Sequence, residues 1–481
     1  MRTWSWCGVI VLALAAGAVP PRLHAQQNPD TPLPQLQSLA LTADVDVDAG
    51  TLAGAATLVL RNTGASAVRA LPLLLNRLLR VDSVLDAEGN ALPVQQAVEA
   101  FEDVDTWQVT AAQVQLRVPI AAGDSTAVVV HYHGHLVGYT EVGMLYVRDR
   151  IDREFTILRE DAFAFPKVGV PSVASMRANP QPPFAFSTAI TVPEGLMAVT
   201  GGRQLPAETH DGRVTWRSES RGPAPYLIVS IAPYRVAQRG EIRVYHFPED
   251  SVGAQIVLGA IGAAADRLAE IFGPLRAAPS LVVMEIPEGW GSQASLAGGI
   301  IQEAPAFRSR DQLQALYHEL SHLWNARDLD APSPRWNEGL ASYLQGRLAR
   351  ELDGWTGERA ALERVRTRLI ESCTADTPCG TIPMRDYGRA SLTDRSYLVA
   401  RLMFWLLAES MGEERLDTAL REHFQRVRET GTRTDDLRAA LIRVGGEPAR
   451  RILDDWLDGT GWVARLSAAP DLAALREGYR R

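Results

Sequence analysis

The sequence predicts a multidomain α+β protein, in which an N-terminal antiparallel β-sandwich domain precedes a mostly helical domain. Three observations lead to this prediction. The chain has 481 residues, more than one hydrophobic core normally holds. Residues 36–238 alternate apolar and polar side chains between Gly- and Pro-containing turns, which is typical of short antiparallel strands. From residue 239 onward, strand-like segments give way to apolar residues at helical spacing.

The first 25 residues have the pattern of an export signal. Arg2 precedes the apolar run "CGVIVLALAAGAV", a Pro-Pro pair ends the run, and "LHA" marks a cleavage position after Ala25. Because the run is shorter than the roughly 20 residues of a spanning helix, cleavage is favoured over an uncleaved anchor. We therefore expect a periplasmic or extracellular protein with no stable membrane span after signal removal. Residues 26–35 are polar and contain prolines, which predicts a flexible lead-in.

The chain is acidic. Its formal net charge of −8 becomes −10 without the first 25 residues, since these hold Arg2 and Arg22 and no acidic residue. Such a surface does not attract polyanions, so nucleic acid is not expected as a partner. The sequence gives no indication of the oligomeric state.

Two cysteines remain once the predicted signal is removed. Cys373 and Cys379 lie in the segment "ESCTADTPCG". In an oxidising compartment such a pair is expected to form a disulfide, with two free thiols as the alternative. The closed loop is short, so the bond would add only about 2 kcal/mol to stability.

Two segments of the β domain are expected to form strand pairs. Residues 38–62 alternate across an Asp-Ala-Gly turn, and residues 113–137 alternate across the turn "AAGD". In the second segment, His131, His133 and His135 share one face of a strand. A second metal site is one interpretation. Because side chains two apart on one strand converge poorly on an ion, a solvated or interface face is expected instead.

The second domain is predicted at 239–461, followed by a tail at 462–481. It begins with a strand in 240–250, and a helix then follows from 251 until Gly273 stops it. A further strand lies in 279–287, and a helix is predicted at 311–326. The remaining predicted helices are 355–372, 395–411, 413–429, 433–444 and 447–458.

A motif for binding a divalent metal lies in the helix predicted at 311–326. Residues four apart in a helix differ by about 40° in direction and about 6 Å in height, so His318 and His322 project from the same face. Their imidazole nitrogens are suited to zinc. Glu319 points beside the open position of the ion, where it is placed to deprotonate a water molecule.

Zinc needs a third protein ligand that leaves one position open. A helix that starts near Asn337 carries Glu338 in its first turn, and the two prolines before it suit a link between two helices. A chance match to the histidine motif alone has a probability on the order of one in a hundred. The added, correctly spaced Glu338 favours a site for one Zn²⁺ ion. A zinc site without turnover is the alternative, and the presence of Glu319 argues against it.

The stretch "HELSHLW" followed by "WNEGLASYL" resembles the gluzincin zinc metallopeptidases of the aminopeptidase N type. The resemblance implies His318, His322 and Glu338 as ligands, Glu319 as general base and a peptide as substrate. It also implies a saddle-like β domain and, at 239–461, a thermolysin-like catalytic domain. The chain is expected to be a short form that lacks the C-terminal helical domain of the family.

The chain departs from the family pattern in two places around the motif. The gap between His322 and Glu338 is about three residues shorter than usual, which implies a tighter loop. The family also has a Gly-x-Met-Glu-Asn stretch whose glutamate binds the substrate amine. In the corresponding segment here, Gly298 and Gly299 fit an edge strand that pairs with substrate, but the acidic position falls near Leu296.

Three other glutamates offer a negative charge in place of the missing one. Glu303, Glu288 and Glu160 are candidates, of which Glu303 lies in the edge-strand segment itself. An aminopeptidase acting on short peptides is the favoured function. A short-peptide endopeptidase without amine recognition, or a zinc-binding scaffold that binds peptides without turnover, are the alternatives.

The family places a tyrosine at the start of a helix roughly sixty residues after the ligand glutamate. Tyr397 fits this position, although the Lys-Gly that follows in the family is replaced by Val399 and Ala400. A phenol with a pKa of about 10 stays protonated at neutral pH and is able to donate to an oxyanion. Tyr387 is the competing candidate, and simple packing is the alternative for either tyrosine.

Overall fold

The computed structural model of the protein describes residues 33–137, 148–275, 281–294, 299–330, 335–390 and 392–480. The predicted signal at 1–25, most of the lead-in at 26–35 and Gly298 lie outside these ranges, and what was expected of them stays a prediction. The first strand begins at Gln35, one residue before the predicted start of the β domain.

Short strands make up most of the N-terminal domain. In chain order they are β1 (Gln35–Asp46), β2 (Thr51–Arg61), β3 (Val68–Asn76), β4 (Leu79–Asp86), β5 (Ala91–Leu92), β6 (Val94–Ala100), β7 (Gln108–Ile120), β8 (Ser125–His135), β9 (Thr156–Arg159) and β10 (Lys167–Val168), then helix α1 (Val173–Ala178), then β11 (Ala185–Pro193), β12 (Met197–Val199), β13 (Arg203–Gln204), β14 (Glu208–His210), β15 (Arg213–Glu219) and β16 (Ile228–Ala232).

The turn between β1 and β2 is built as its sequence predicts. Asp46 Oδ1 accepts hydrogen bonds from the backbone N–H groups of Asp48 at 3.0 Å and Ala49 at 2.9 Å. Gly50 then adopts a φ of 68°, which glycine takes without strain. β1 and β2 pair antiparallel along their whole length, which confirms the strand pair predicted at 38–62.

The segment predicted as a second strand pair divides between two sheets instead. β7 pairs with β3 and β6, whereas β8 pairs with β2 and β4. One sheet has the order β13-β15-β11-β1-β2-β8-β4-β5, with β14 beside β15, and the other has the order β10-β3-β7-β6. The "AAGD" turn therefore connects two layers. The pairing expected at 113–137 was wrong, because alternation does not identify the partner of a strand.

β1 also runs parallel to β11, so the sandwich is not purely antiparallel.

The second domain contains a mixed sheet followed by helices. In chain order its elements are β17 (Arg235–Arg239), β18 (Ile242–His246), α2 (Ser251–Phe272), β19 (Val282–Ile286), β20 (Gln293–Ala294), β21 (Gly299–Glu303), α3 (Pro305–Arg308), α4 (Leu313–Ser321), α5 (Trp336–Asp353), α6 (Glu358–Ser372), α7 (Pro378–Thr381), α8 (Thr393–Met411), α9 (Glu413–Val427), α10 (Thr434–Trp456), α11 (Trp462–Ala468) and α12 (Leu472–Arg480).

The sheet of the second domain has the order β17-β18-β19-β21-β20, which leaves β20 at one edge. Helix α2 is long and apolar enough to cross a membrane by length and composition. Here one face of α2, including Val257, Ile261 and Leu268, is fully buried in the core of the domain. Packing against the sheet and α9 therefore accounts for its apolar sequence.

The helical part follows the predicted order. The helices expected at 433–444 and 447–458 are two arms of α10 that meet at Gly446, where φ is 69° and ψ is −150°. The predicted tail at 462–481 forms α11 and α12, and Tyr479 is buried with its hydroxyl 2.7 Å from Trp456 Nε1. Cys373 and Cys379 are joined, so the predicted disulfide is confirmed.

The two domains share a hydrophobic cluster. Phe155 and Ile157 on the β-domain side pack with Met284, Trp290 and Ile301 of the second domain, and all five are buried. Because this contact is apolar and continuous, it holds the β domain against one face of the second sheet, where β19 is the central strand. The cleft described next lies along this junction.

Candidate active site

Helix α4 presents the two histidines of the motif. Leu313, Leu316 and Leu320 form its buried stripe, as the sequence predicts. The helix ends at Ser321 and continues as a 3-10 turn through Trp324, so His322 lies at the junction of the two. Both imidazoles still project from one face, with their Nε2 atoms 3.2 Å apart.

Helix α5 brings the glutamate to the histidines. Glu338 lies in the first turn of α5. At the far end of α5, Asp353 accepts a hydrogen bond of 2.8 Å from the Tyr317 hydroxyl of α4. A Cβ atom at Gly339 would lie 2.1 Å from the Cβ of Ala400 on α8, so only glycine permits this approach. These contacts fix α4, α5 and α8 around one point.

The three side chains converge as a compact triangle, here called the triad. Glu338 Oε2 lies 3.3 Å from Nε2 of His318 and 3.3 Å from Nε2 of His322. A tetrahedron with bonds of about 2.0–2.1 Å has edges of about 3.3 Å. The triangle therefore matches three corners of a tetrahedral zinc site, and the fourth corner is left for water or substrate.

The hydrogen-bonding state of these atoms also fits a metal. Glu338 Oε2 and His318 Nδ1 are buried and have no hydrogen-bond partner in acceptable geometry among the described residues. His322 Nδ1 lies 2.7 Å from the side-chain amide of Asn325. A cation held by Glu338 Oε2 and the two Nε2 atoms would satisfy the buried carboxylate oxygen, which is unfavourable without a partner. Within the described residues, His318, His322 and Glu338 are the group whose ligand atoms come this close.

The charges of the two glutamates differ. Burial by itself would raise the pKa of Glu338, but the interaction with two imidazoles outweighs it and holds the pKa well below its ordinary value. Glu319 is also desolvated, and its pKa rises to about 7 although His318 and a backbone hydrogen bond from Ala294 act in the opposite direction. The structure thus places an ionised ligand next to a carboxyl group that binds and releases protons near neutrality.

The two candidate tyrosines lie in different environments. Tyr397 lines the cleft at the start of α8, and its ring stacks on the ring of His318 with centroids 5.8 Å apart and 12° between the planes. Tyr387 is fully buried and donates a hydrogen bond of 3.3 Å to the carbonyl of Cys379. Of the two, Tyr397 is therefore the tyrosine within reach of a group bound at the triad.

The residues expected to bind substrate lie in different surroundings. Gly299 is buried at the start of β21, and its neighbour Gly298 lies outside the described residues. Glu303 ends β21, and its carboxylate accepts a hydrogen bond of 2.7 Å from the N–H of Gly291. Glu303 thus holds a turn instead of lining the cleft. Glu160 forms an ion pair of 2.7 Å with Lys167.

A cleft of about 1400 Å³ runs from the triad along the junction of the domains. Its walls include Tyr226 from the β domain, Gln293 and Ala294 from β20, and Asn325 after α4. Sequence reasoning did not find Tyr226, because it lies in an apolar segment far earlier in the chain with no local motif. Asn325 follows His322 by three residues, so helical spacing would have indicated it.

The histidines on β8 do not form a second metal site within the described part of the chain. His133 is largely exposed and its Nδ1 lies 2.7 Å from Asp82 Oδ1. His131 and His133 pair with alanines of the neighbouring strand β2. This arrangement agrees with the solvated face that was expected.

Several solved structures have the same fold. The M1 zinc metallopeptidase from Deinococcus radiodurans aligns with a TM-score of 0.63 at 19% identity, over 89% of this chain and 95% of that chain. A glutamate-to-alanine mutant of the Deinococcus radiodurans M1 zinc metallopeptidase bound to a Tyr-Ser-Ala substrate has a TM-score of 0.61 at 18% identity, over 89% and 94% of the two chains. A two-domain M1 zinc metallopeptidase mutant bound to L-arginine has a TM-score of 0.63 at 18% identity with the same coverage.

No protein-family model and no curated protein matches the sequence. At the identities above, the likeness to solved structures concerns the fold. This chain has the two-domain fold of M1 zinc metallopeptidases, a β-rich domain followed by a helical one. The predicted fold class is confirmed, and the resemblance drawn from "HELSHLW" and "WNEGLASYL" is confirmed at the level of the fold.

Proposed function

We propose that this chain is a zinc-dependent metallopeptidase that acts as an aminopeptidase on short peptides. The observation that carries the proposal is the triad, whose three donor atoms lie 3.2–3.3 Å apart at the floor of a cleft, with Glu319 beside them. Solved structures with this fold are zinc metallopeptidases, one of them bound to a tripeptide substrate. The size of the cleft suits a short peptide.

The side chains divide the chemistry among them. His318, His322 and Glu338 would hold one zinc ion, which supplies Lewis-acid activation of water and of a peptide carbonyl. Glu319 accepts a proton from the attacking water and passes it to the leaving amine. Tyr397 donates its hydroxyl proton in a hydrogen bond to the tetrahedral oxyanion.

Metal content and hydrolysis test this proposal together. The purified chain is expected to hold about one zinc per molecule and to cleave members of a short-peptide library. A chelator should abolish cleavage, and added zinc should restore it. The matched control is Glu319→Gln, which should keep its zinc and lose cleavage. Cleavage that survives chelation, or a zinc-loaded protein that cleaves no peptide, would contradict the proposal, and the second result would favour a peptide-binding scaffold.

Amine recognition is the finer part of the proposal. Besides burial, Glu319 and Asp161 raise the pKa of Tyr226 in the cleft wall, so an acidic group of each domain lies near this point, whereas Glu160 is paired with Lys167 and Glu338 would bind the zinc ion. Such charge suits the α-ammonium group of a peptide. The free form of a peptide should therefore be cleaved at least about tenfold faster than its N-acetylated form.

The second candidate is a short-peptide endopeptidase without amine recognition. It is favoured by the sequence around Leu296, where the family places its amine-binding glutamate and this chain has none. Equal cleavage of the free and the N-acetylated peptide would favour it. In that case the acids around Tyr226 serve the structure and not the substrate.

We also propose that the protein is exported. The support is the signal-like pattern of residues 1–25 together with the Cys373–Cys379 disulfide, a bond that persists in oxidising compartments. The N-terminus of the protein produced in a secreting host should start at Gln26. An intact N-terminus with the protein inside the cell would contradict this.

A further inference from the structure

The loop before the edge strand β20 is held by both domains. It comprises residues 287–292, between β19 and β20, and is called here the tryptophan loop. Within the second domain, Gly291 N–H donates to Glu303 Oε1 at 2.7 Å, and Ser292 Oγ accepts from the N–H of Glu303 at 3.1 Å. From the β domain, Phe155 packs edge-on against Trp290 with ring centroids 5.1 Å apart.

A buried ion pair of the β domain reaches the same loop. Arg159, the last residue of β9, donates to Asp149 through Nε at 2.9 Å and through Nη2 at 2.8 Å, and both side chains are only 1% exposed. Its Nη1 donates to the backbone carbonyl of Trp290 at 3.2 Å. One guanidinium group therefore joins a carboxylate of the β domain to the backbone of the second domain.

The tryptophan loop leads directly into residues that face the reaction. Gln293 and Ala294 form β20, the edge strand in the cleft wall, and Ala294 also makes the backbone hydrogen bond to Glu319. Gln293 Nε2 contacts Asp161 Oδ2 of the β domain at 3.4 Å. A displacement of the loop would therefore move both the strand available to a peptide backbone and the support of the general base.

We propose that Arg159 is a positioning residue for the peptidase reaction, which fixes the tryptophan loop and through it the edge strand β20. A buried ion pair contributes little net stability compared with apolar packing, so its burial at this junction indicates a role in geometry. Guanidinium is suited to the role, because its planar fork bonds a carboxylate twice and leaves a further N–H for the carbonyl. The β domain thereby takes part in substrate positioning.

This inference rests on the proposed peptidase function, so the experiment has one readout that depends on activity and one that does not. The first readout is the kinetics of a short peptide with Arg159→Lys, a change that keeps the charge but loses the fork. KM should rise about tenfold, because binding along β20 is weakened, and kcat should fall as well, because Ala294 also supports the general base Glu319. A smaller folded fraction lowers apparent kcat and leaves KM unchanged, so the rise of KM distinguishes positioning from a merely structural role.

The matched control is Arg347→Lys. Arg347 is 2% exposed and bonds Asp417 through Nη1 at 2.6 Å and Nη2 at 2.8 Å, but it joins α5 to α9 away from the cleft. This variant should lower the thermal unfolding temperature and leave KM within about twofold of the unmodified protein. An equal rise of KM in both variants would overturn the inference.

The second readout is amide hydrogen exchange of the segment 287–294. Exchange should become at least about tenfold faster in Arg159→Lys and stay unchanged in Arg347→Lys. If the unmodified protein cleaves no peptide, the proposed function fails, while exchange still decides whether Arg159 holds the loop. If Arg159→Lys does not fold, Asp149→Asn, which keeps the shape but removes the charge, is expected to change KM and exchange in the same direction. Unchanged exchange in the folded Arg159 or Asp149 variant contradicts the inference.

Discussion

Two groups of buried acids in the second domain have opposite properties. In the triad, two imidazoles hold the pKa of Glu338 well below its ordinary value against the effect of burial. Glu285, on β19, is completely buried, and burial together with a hydrogen bond to Asp250 raises its pKa to about 9. The difference teaches that burial does not decide the charge of a carboxyl group. Its neighbours decide it.

The two carboxyl groups have neighbours of different kinds. Glu285 Oε2 accepts the N–H of Phe247 at 2.7 Å, and its partner Asp250 accepts a hydrogen bond of 2.9 Å from Arg308. Glu285 Oε1 and Glu338 Oε2 both lack a hydrogen-bond partner among the described residues, but the pKa of Glu285 is raised, so this group is uncharged, whereas the ionised Glu338 faces two imidazole nitrogens with which it can hold a cation. This contrast separates a structural acid from a ligand without reference to any motif.

The largest expected effect is the loss of zinc and activity when Glu338 of the triad is replaced. Glu338→Gln removes the anionic ligand while its shape is kept, so zinc content should fall below about a tenth of a molar equivalent and kcat/KM by about a thousandfold or more. Zinc analysis and peptide hydrolysis measure this. The matched change Glu285→Gln should leave both within about twofold. A zinc-loaded, active Glu338→Gln would remove the distinction between the two sites.

The next largest effect is the pH dependence of the free energy of unfolding that Glu285 produces. A folded-state pKa near 9 against an ordinary value of 4.5 means that unfolding releases a proton between these pH values. The free energy of unfolding should therefore fall as pH rises from about 5 to 9. Glu285→Gln keeps the acceptor for Phe247 and does not titrate, so the free energy of unfolding should change less with pH in this variant, by on the order of 5 kcal/mol between pH 5 and 9.

Denaturant titrations of both proteins at several pH values test this. Groups that titrate in both proteins cancel in the difference, so the slope that is lost belongs to Glu285. Equal slopes would mean that Glu285 is ionised in the folded protein. The carboxyl group would then need a cation as Glu338 does, and the contrast between the two sites would fail.

The two tyrosines give a second comparison between a residue in the cleft and a buried structural residue, and the expected effects are smaller. Tyr397→Phe should lower kcat by about a hundredfold, because one oxyanion donor is lost, while zinc content stays unchanged. Tyr387→Phe removes the hydrogen bond to the Cys379 carbonyl and should cost about 1 kcal/mol of stability with kcat within about twofold. Steady-state kinetics of the two variants decide between them. The reverse result would mean that Tyr387, and not Tyr397, donates to the oxyanion.

The sequence indicated those parts of the site that depend on local periodicity. Spacing along α4 placed His318 and His322 on one face, and a helix start expected near Asn337, with the apolar stripe that follows it, placed Glu338 in the first turn of the next helix. The β-then-α order followed from the change of period in the same way.

Local periodicity does not predict which strands pair over long range. The assignment of β7 and β8 to different sheets depends on which strands lie beside each other, and alternation is the same in either case. The contacts between Arg159 and Trp290 and between Ala294 and Glu319 join segments far apart in the chain. No local pattern encodes such contacts, so the hairpin that flanks the base was recognised only in part, through its glycines.

The smallest expected effect concerns the disulfide behind the cleft. Cys379 bonds Tyr387 through its carbonyl, and Gly388 and Arg389 in the same segment line the cleft. If this segment only supports the fold, replacing both cysteines by serine should lower the free energy of unfolding by about 2 kcal/mol and leave KM within about twofold, because the closed loop is short. Reduction of the unmodified protein should give the same loss. A rise of KM above about fivefold would instead show that the disulfide loop orders the cleft wall. The segment around Tyr387 would then belong to the substrate-binding region and not to the purely structural part of the domain.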